Sequence, residues 1–275
     1  MGFLCFTIGP ILAAFGISFT NWQVGLPMKF IGLGNYVEMF VKDKLFWQSL
    51  KVTANYSLMA LPLGIIVALT MALMMNQKVM GLSILRTIYY LPAVTSGVAV
   101  AYVWLWILNN EYGLLNWFLS LLGLPGQAWL LTPKWALPAL VLMGLWGAGG
   151  LMIIYLSSLQ AIPGELYEAA MLDGAKVQQF FHITLPMLSP TILFNLVTGI
   201  IGVFQTFTAA WFMTSGGPNY ATYFYVLHLY YKAFMYSQMG YACALAWVLF
   251  IIVLILTGLV LRSSQYWVFY AGEKE

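Results

Sequence analysis

Charge is what this 275-residue chain has least of. Asp, Glu, Lys and Arg make up 7% of it, where an ordinary soluble domain carries about 25%. Too few polar side chains remain to cover even one compact soluble surface, so a composition that is 62% hydrophobic places the chain in a membrane. The net charge of +3 is dispersed and contains no run of basic residues, which argues against nucleic acid as a partner. Cysteine is scarce as well. Cys5 and Cys243 both lie in apolar stretches and read as small buried hydrophobes, not as a disulfide.

Other absences narrow the chemistry. The few charges cluster between long uncharged stretches, and inside those stretches no Asp, Glu, Lys, Arg or His stands away from the rims. Proton-coupled carriers use intramembrane carboxylates or histidines, and voltage sensors use rows of Arg, so neither mechanism fits. A Gly-x-x-x-x-Gly-Lys-Ser/Thr loop is missing, so this chain does not bind ATP in that manner. Uphill transport would take its energy from another subunit. His182 and His228 are far apart and have no partner at metal-ligand spacing. No Ser, His and Asp constellation points to an enzyme, and no cofactor is expected on this chain.

What is present is a series of apolar runs of about 20 residues, the length that spans a hydrocarbon core about 30 Å thick. Six candidates appear, at approximately 1–20, 52–75, 87–108, 135–156, 191–213 and 241–261. The runs are continuous, without the alternation of a membrane β-barrel, so the expected fold is all-α: one domain over 1–275 with six transmembrane helices. Pro10, Pro62, Pro92, Pro138 and Pro190 fall in or beside spans and predict kinks or helix starts. An even number of spans puts both termini on one side. Lys and Arg number five in one set of loops and six in the other, which does not fix the orientation. The first run has no basic segment before it and no cleavage site after it. It reads as a retained helix, shortened by truncation or by a misplaced start, and not as a signal peptide.

Between the fourth and fifth runs lies a different kind of segment, 157–189. Pro163 and Gly164 can open a helix that Gly174 can close. Leu166, Ala169, Ala170 and Met171 give it a small-residue face, and Glu165, Glu168 and Asp173 make it acidic. Such a helix permits close approach by another protein, with a carboxylate ready for a charge-assisted bond from Arg or Lys. Composition by itself favours an amphipathic helix lying at the headgroup boundary.

Glu168-Ala169-Ala170, then Gly174, then Ile183-Thr184-Leu185-Pro186 resembles the EAA motif of permease subunits of binding-protein-dependent ABC importers. Eight residues separate Gly174 from Ile183, one fewer than is usual in that family. One residue turns a following helix by about 100°. Other segments resemble the carbohydrate branch, similar to maltose and glycerol-3-phosphate permeases. They are Ser18-Phe-Thr-Asn-Trp22 with Phe30 to Tyr36, Tyr112 to Asn116, and Thr214-x-Gly-Gly-Pro218 with Thr222. The likeness runs through nearly the whole chain. It implies a cytoplasmic loop whose short helix docks into an ATPase subunit through Glu168, Ala169, Ala170, Asp173 and Gly174, with both termini in the cytoplasm. It also implies the partners: a second permease, identical or homologous; two ATP-binding cassette subunits that hold the ATP; and an extracytoplasmic solute-binding protein. The place is the cell membrane.

For cargo, uncharged spans disfavour an anion, whose charge would need compensation in low dielectric. A neutral sugar needs hydroxyl partners and flat apolar faces. The resemblance brings Phe204, Gln205 and Thr208 to the stretch that lines the sugar site of maltose-type permeases. Three-residue spacing predicts that Gln205 and Thr208 share a helix face. In the fourth run, Trp146 can serve as a stacking platform beside Gly147, with Asn195 a further polar candidate in the fifth. Tyr220, Tyr223, Tyr225, Tyr230, Tyr231 and Tyr236 crowd the last external stretch and suggest an aromatic belt or a contact with the binding protein. A secondary carrier or facilitator, or a membrane-embedded assembly factor, would also be apolar but would not need the EAA-like segment.

Overall fold

The computed structural model describes residues 2–77, 80–171 and 176–270. Among them it is helical throughout, apart from turns and a single antiparallel bridge between Thr20 and Phe30. The helices are α1 (Gly9–Ile17), α2 (Gly34–Val37), α3 (Lys44–Met75), α4 (Leu82–Val94), α5 (Gly97–Ile107), α6 (Leu114–Leu121) and α7 (Pro133–Trp146). There follow α8 (Gly149–Ala161), α9 (Gly164–Met171), α10 (Lys176–Gln179), α11 (Leu185–Phe204), α12 (Tyr225–Tyr230) and α13 (Met239–Ser264). Helices are what apolar runs must form where no water is available to bond the backbone.

Helix α3 is the axis of the molecule. Asp43 starts it, its Oδ1 accepting the N–H groups of Leu45 (2.9 Å) and Phe46 (3.1 Å). Its 32 residues make it about 48 Å long, more than a hydrocarbon core needs. The helix therefore begins before the apolar run at Val52, in turns that carry Lys44, Gln48 and Lys51. Two buried clusters lie along it. One joins its first half (Val52, Tyr56) to α5, α7 and residues 209–227, and the other joins its second half (Ala68, Ala72, Met75) to α8 and Leu188. A third cluster links Met39 and Phe46 to Tyr225 and α13. Elsewhere α3 and α13 show large apolar side chains on the outside, among them Leu58, Ile66, Phe250 and Leu254. A soluble protein would not expose such bands; a lipid-facing surface does.

Three helices are long and apolar enough to cross a membrane unbroken: Lys44–Met75, Phe180–Phe204 and Met239–Ser264. Two bent pairs raise the number to five, and Leu4–Ile17 is shorter than a full crossing. Three of the six continuous runs expected from hydropathy are thus interrupted. The third is bent by 101° between α4 and α5, and the fourth by 48° between α7 and α8. The fifth run, 191–213, outlasts the long helix Phe180–Phe204: the chain leaves helical geometry at Gln205 and resumes it at Thr208.

Chain direction places the ends. The end of α1 meets the start of α13, where the Gly240 N–H donates to the Trp22 carbonyl (2.9 Å). The tail returns to the base of α11, where the Phe269 N–H donates to Ser189 Oγ (2.8 Å). Both ends of the described chain therefore lie at the end of the bundle that carries α9, and residues 214–238 lie at the other.

Candidate functional site: a short exposed helix and three interrupted runs

Helix α9 forms where Pro163 and Gly164 predict it. Tyr167 turns inward against the α3–α8 cluster, and its hydroxyl lies 3.0 Å from Thr184 Oγ1 at the base of α11. With Tyr167 anchored, Glu165, Leu166 and Glu168 are left exposed, and Ala170 is half-buried. A contact made on that outer face would pull on α11 through Tyr167. Of the other residues assigned to docking, Asp173 and Gly174 lie outside the described residues, as does the side chain of Ala169.

The broken spans come together on one side of α3. In the third, Thr95 and Ser96 are extended (ψ 143° and 129°), and Thr95 Oγ1 donates back to the Leu91 carbonyl (2.9 Å). In the fourth, Gly149 sits so close to α4 that a Cβ there would collide with the Tyr89 carbonyl oxygen. Only glycine permits that approach. In the fifth, the backbone leaves the helix after Phe204, and Thr208 Cγ2 stands 3.6 Å from the Cβ position of Gly97, the first residue of α5. The bend of the third span is thereby set against the breaks of the fourth and the fifth. Irregular backbone at membrane depth is tolerated where it is buried in protein or lines a cavity.

The residues expected along a pathway are distributed around this junction. Gln205 caps α11 and is exposed. Thr208 belongs to the next helical segment, so the helix face that spacing predicts for the pair does not exist. Phe204 is 5% exposed and packs inside the subunit. Trp146 is 44% exposed and pairs edge-on with Trp104, ring centres 6.2 Å apart. Gly147 faces a cavity of about 170 Å³ between α3, α7, α8 and α11, walled also by Tyr56, Gly64, Gly199, Val203 and Asn195. Asn195 is 1% exposed, and neither atom of its amide bonds to a described protein group.

Sequence reasoning missed a polar cluster at the end opposite α9. Asp43 Oδ2 accepts from the Tyr241 hydroxyl (2.8 Å) and lies 3.3 Å from Lys232 Nζ. It is 3.1 Å from His228 Nε2, off the line of a hydrogen bond, so that contact is electrostatic. His228 is completely buried, and the Tyr223 hydroxyl is 3.2 Å from its Nδ1. Burial pushes the His228 imidazole down to about 4; Asp43 opposes the shift and Lys232 adds to it. Burial works against the Asp43 carboxylate, but Tyr241, His228, Lys232 and the Phe46 N–H outweigh it and hold the carboxyl below its ordinary value. The available signal was Asp43 itself, a helix-capping residue immediately before an apolar run.

Comparison with known proteins agrees with this architecture. The chain is 44% identical over 280 residues to a probable ABC transporter permease protein, YesP, of Bacillus subtilis, covering 100% of this chain and 90% of that one. It is 34% identical over 266 residues to the trehalose/maltose transport system permease protein MalF of Thermococcus litoralis (96% and 90% covered). Among solved structures, a bacterial alginate ABC transporter in complex with an alginate pentasaccharide-bound periplasmic protein matches with a TM-score of 0.83. That match has 26% identity and covers 95% of this chain and 89% of that one. Residues 60–269, from the middle of α3 through α13 to the tail, match a single family description. The chain belongs to the family of binding-protein-dependent transport system inner membrane components.

Proposed function

We propose that this chain is one half of the pathway by which an ABC importer moves a neutral carbohydrate across the inner membrane, paired with a second permease of the same or a sister sequence. Two ATP-binding cassette subunits supply the energy from below, and an extracytoplasmic binding protein delivers the cargo. In this arrangement α9 and both termini are cytoplasmic, and the chain holds no ATP of its own. Six crossings result when Leu4–Ile17 and each bent pair count as one span.

The observation that carries the reading is the junction of broken spans, Thr208 against Gly97 and Gly149 against Tyr89. Interrupted helices near the bilayer midplane present backbone and small polar groups to a solute. Among the mainly apolar side chains around this junction stand Tyr56, Trp146, Asn195, Gln205 and Thr208, which supply the ring faces, amides and hydroxyl that a neutral sugar needs. Alginate, named for the matched structure, is acidic; these spans offer no cation to it away from their rims. Gln205 is exposed in the monomer and available to a shared cavity, whereas Phe204 supports the turn from inside.

The test is uptake into proteoliposomes holding the whole transporter with its binding protein. With Gln205→Leu, uptake of a neutral oligosaccharide should fall about tenfold or more, the effect of losing one or two hydrogen bonds to cargo. Unchanged uptake removes Gln205 from the pathway. Preferential uptake of an acidic oligosaccharide by the unaltered transporter overturns the neutral-cargo reading.

A further inference from the structure

At the end of the bundle opposite α9 the structure has a second cavity, separate from the junction of broken spans. It is a cleft of about 470 Å³ walled by Tyr220, Tyr223, Tyr231 and Tyr236, with Leu45 and the turn Ser215–Asn219 as its floor. That volume lies within the range of about 300–1,000 Å³ typical of small-molecule sites. A belt of tyrosines anchoring a protein in lipid headgroups points its rings outward, singly. These rings instead line a concavity. Tyr223 and Tyr231 are stacked, 5.8 Å apart and 12° from parallel, while Tyr220 and Tyr236 are 51% and 62% exposed at its rim.

The floor is unusual. Ser215, Gly216, Asn219 and Tyr220 all have positive φ (48°, 88°, 49° and 58°), a region that side chains other than those of Gly, Asn and Asp seldom enter. Such a turn persists only where its surroundings over-determine it, and here they do. Thr222, fully buried, donates to the Gly217 carbonyl (2.7 Å) and lies 2.6 Å from Thr214 Oγ1. Gln48 Nε2 of α3 donates to the Tyr220 carbonyl (3.2 Å). At Gly216 a Cβ would press to 2.7 Å from the Tyr223 ring, so glycine lets the turn lie directly under that ring. Behind the wall, Tyr223 meets His228, which stands against Asp43 at the start of α3. The stacked wall and its floor are thus fixed before anything binds.

We propose that this cleft is a saccharide subsite for a neutral sugar, outside the apolar band and distinct from the junction of broken spans. The proposal rests on the carbohydrate reading above. Its lining has four tyrosines, two of them exposed at the rim, with the Ser215 hydroxyl, the Asn219 amide and no Asp, Glu, Lys, Arg or His. Sugars present flat C–H faces to aromatic rings and hydroxyls to amide and hydroxyl groups, and an uncharged lining favours an uncharged ligand. A protein partner would meet a concave surface here in place of the flat patch typical of such contacts. On the proposed orientation the cleft faces the side from which cargo arrives.

The experiment uses the whole transporter in nanodiscs, without its binding protein, and the water-soluble tyrosine reagent N-acetylimidazole, with labelled peptides mapped by mass spectrometry. Maltotriose, lactose and arabinotriose are first compared for uptake in proteoliposomes, and the best transported is the probe. That sugar is expected to slow acetylation of Tyr220 and Tyr236 several-fold while leaving Tyr266, 89% exposed at the opposite end, unchanged. Tyr236→Ala should abolish the protection of Tyr220, and Tyr236→Phe, which keeps the ring, should retain it. Protection should persist in Gln205→Leu, which separates this cleft from the pathway. If a sugar is transported but gives no protection, the subsite is overturned and the carbohydrate reading stands. A parallel arm adds the sugar-free binding protein: if that protein protects Tyr220 and Tyr236 and sugar alone does not, the cleft is a protein-docking surface and the subsite is again overturned. If no sugar is transported, both readings fail together, and the uptake assay alone shows it.

Discussion

A histidine with no ligand partner at metal spacing becomes informative once its surroundings are known. His228 is surrounded by Asp43 and Lys232, with Tyr223 at Nδ1 and Tyr241 donating to the same Asp43 oxygen, Oδ2. In the folded chain its imidazole is pushed down to about 4, against an ordinary value of 6.5. Between those two values the unfolded chain binds a proton that the folded chain refuses. Stability is therefore intact above about pH 6.5 and is lost progressively as the pH falls toward about 4. Asp43 acts in the same direction at lower pH, because its stabilisation is present above its ordinary value of 3.8 and disappears as the pH drops through its lowered one. Thermal unfolding of the purified transporter, followed from neutral pH down to about 4, should show a falling midpoint. In His228→Gln the slope across that window should be shallower, since the group that refuses the proton is gone. Parallel profiles for the two proteins would show that His228 does not titrate as its burial implies.

At the scale of elements, the packing of α4 on α8 depends on one missing side chain. Gly149 lets the first turn of α8 rest against the Tyr89 and Tyr90 backbone, and Gly150 sits with its Cβ position 3.5 Å from that of Ala93. Backbone cannot swing aside as a side chain can, so Gly149→Ala should separate the two helices. Overpacking of this kind costs about 1–3 kcal/mol, and more where backbone must move. Gly258→Ala in α13 meets open space and should leave the thermal midpoint where it was. Equal midpoints for the two variants would remove the Gly149 contact from the account of the bend. These bends explain what could be read in the sequence and what could not. Apolar run length identified α3, α11 and α13, and Pro163-Gly164 identified the start of α9, because each signal is local. Hydropathy is blind to a stretch such as Thr95-Ser96-Gly97 or Gly147-Ala148-Gly149, which is as uncharged bent as straight. The decisive contacts lie on other helices: Tyr89 for Gly149, and Thr208 for Gly97. The three-residue spacing of Gln205 and Thr208 misled for the same reason, since it presumes a helix that stops at Phe204. Asp43 and His228 could not be paired from sequence because most of the chain lies between them.

For the whole molecule, the question is how an engine on another subunit moves spans that hold no charge away from their rims. Helix α9 is short, exposed on its outer face and tied through Tyr167 to Thr184, one residue before α11 begins. Helix α11 in turn contacts α3, α8 and α13, and its far end is the break at Gln205 beside the proposed pathway. A push on α9 therefore has a continuous packed route to that break. If α9 is where the ATPase docks, Glu168 is its exposed anion, and Glu168→Lys separates docking from folding. A surface carboxylate contributes on the order of 0–1 kcal/mol to the fold, so the variant should reach the membrane and unfold at the unaltered temperature. Breaking one partner of a buried interface charge pair costs about 2–5 kcal/mol, and reversing the sign adds repulsion. Cargo-stimulated ATP hydrolysis and uptake in proteoliposomes should both fall to background, with the ATPase subunits lost from or loosely held in the purified complex. Normal uptake by Glu168→Lys would place the engine's grip elsewhere on the bundle. Loss of uptake with the ATPase still firmly bound would make Glu168 a transmitter of the stroke in place of an anchor.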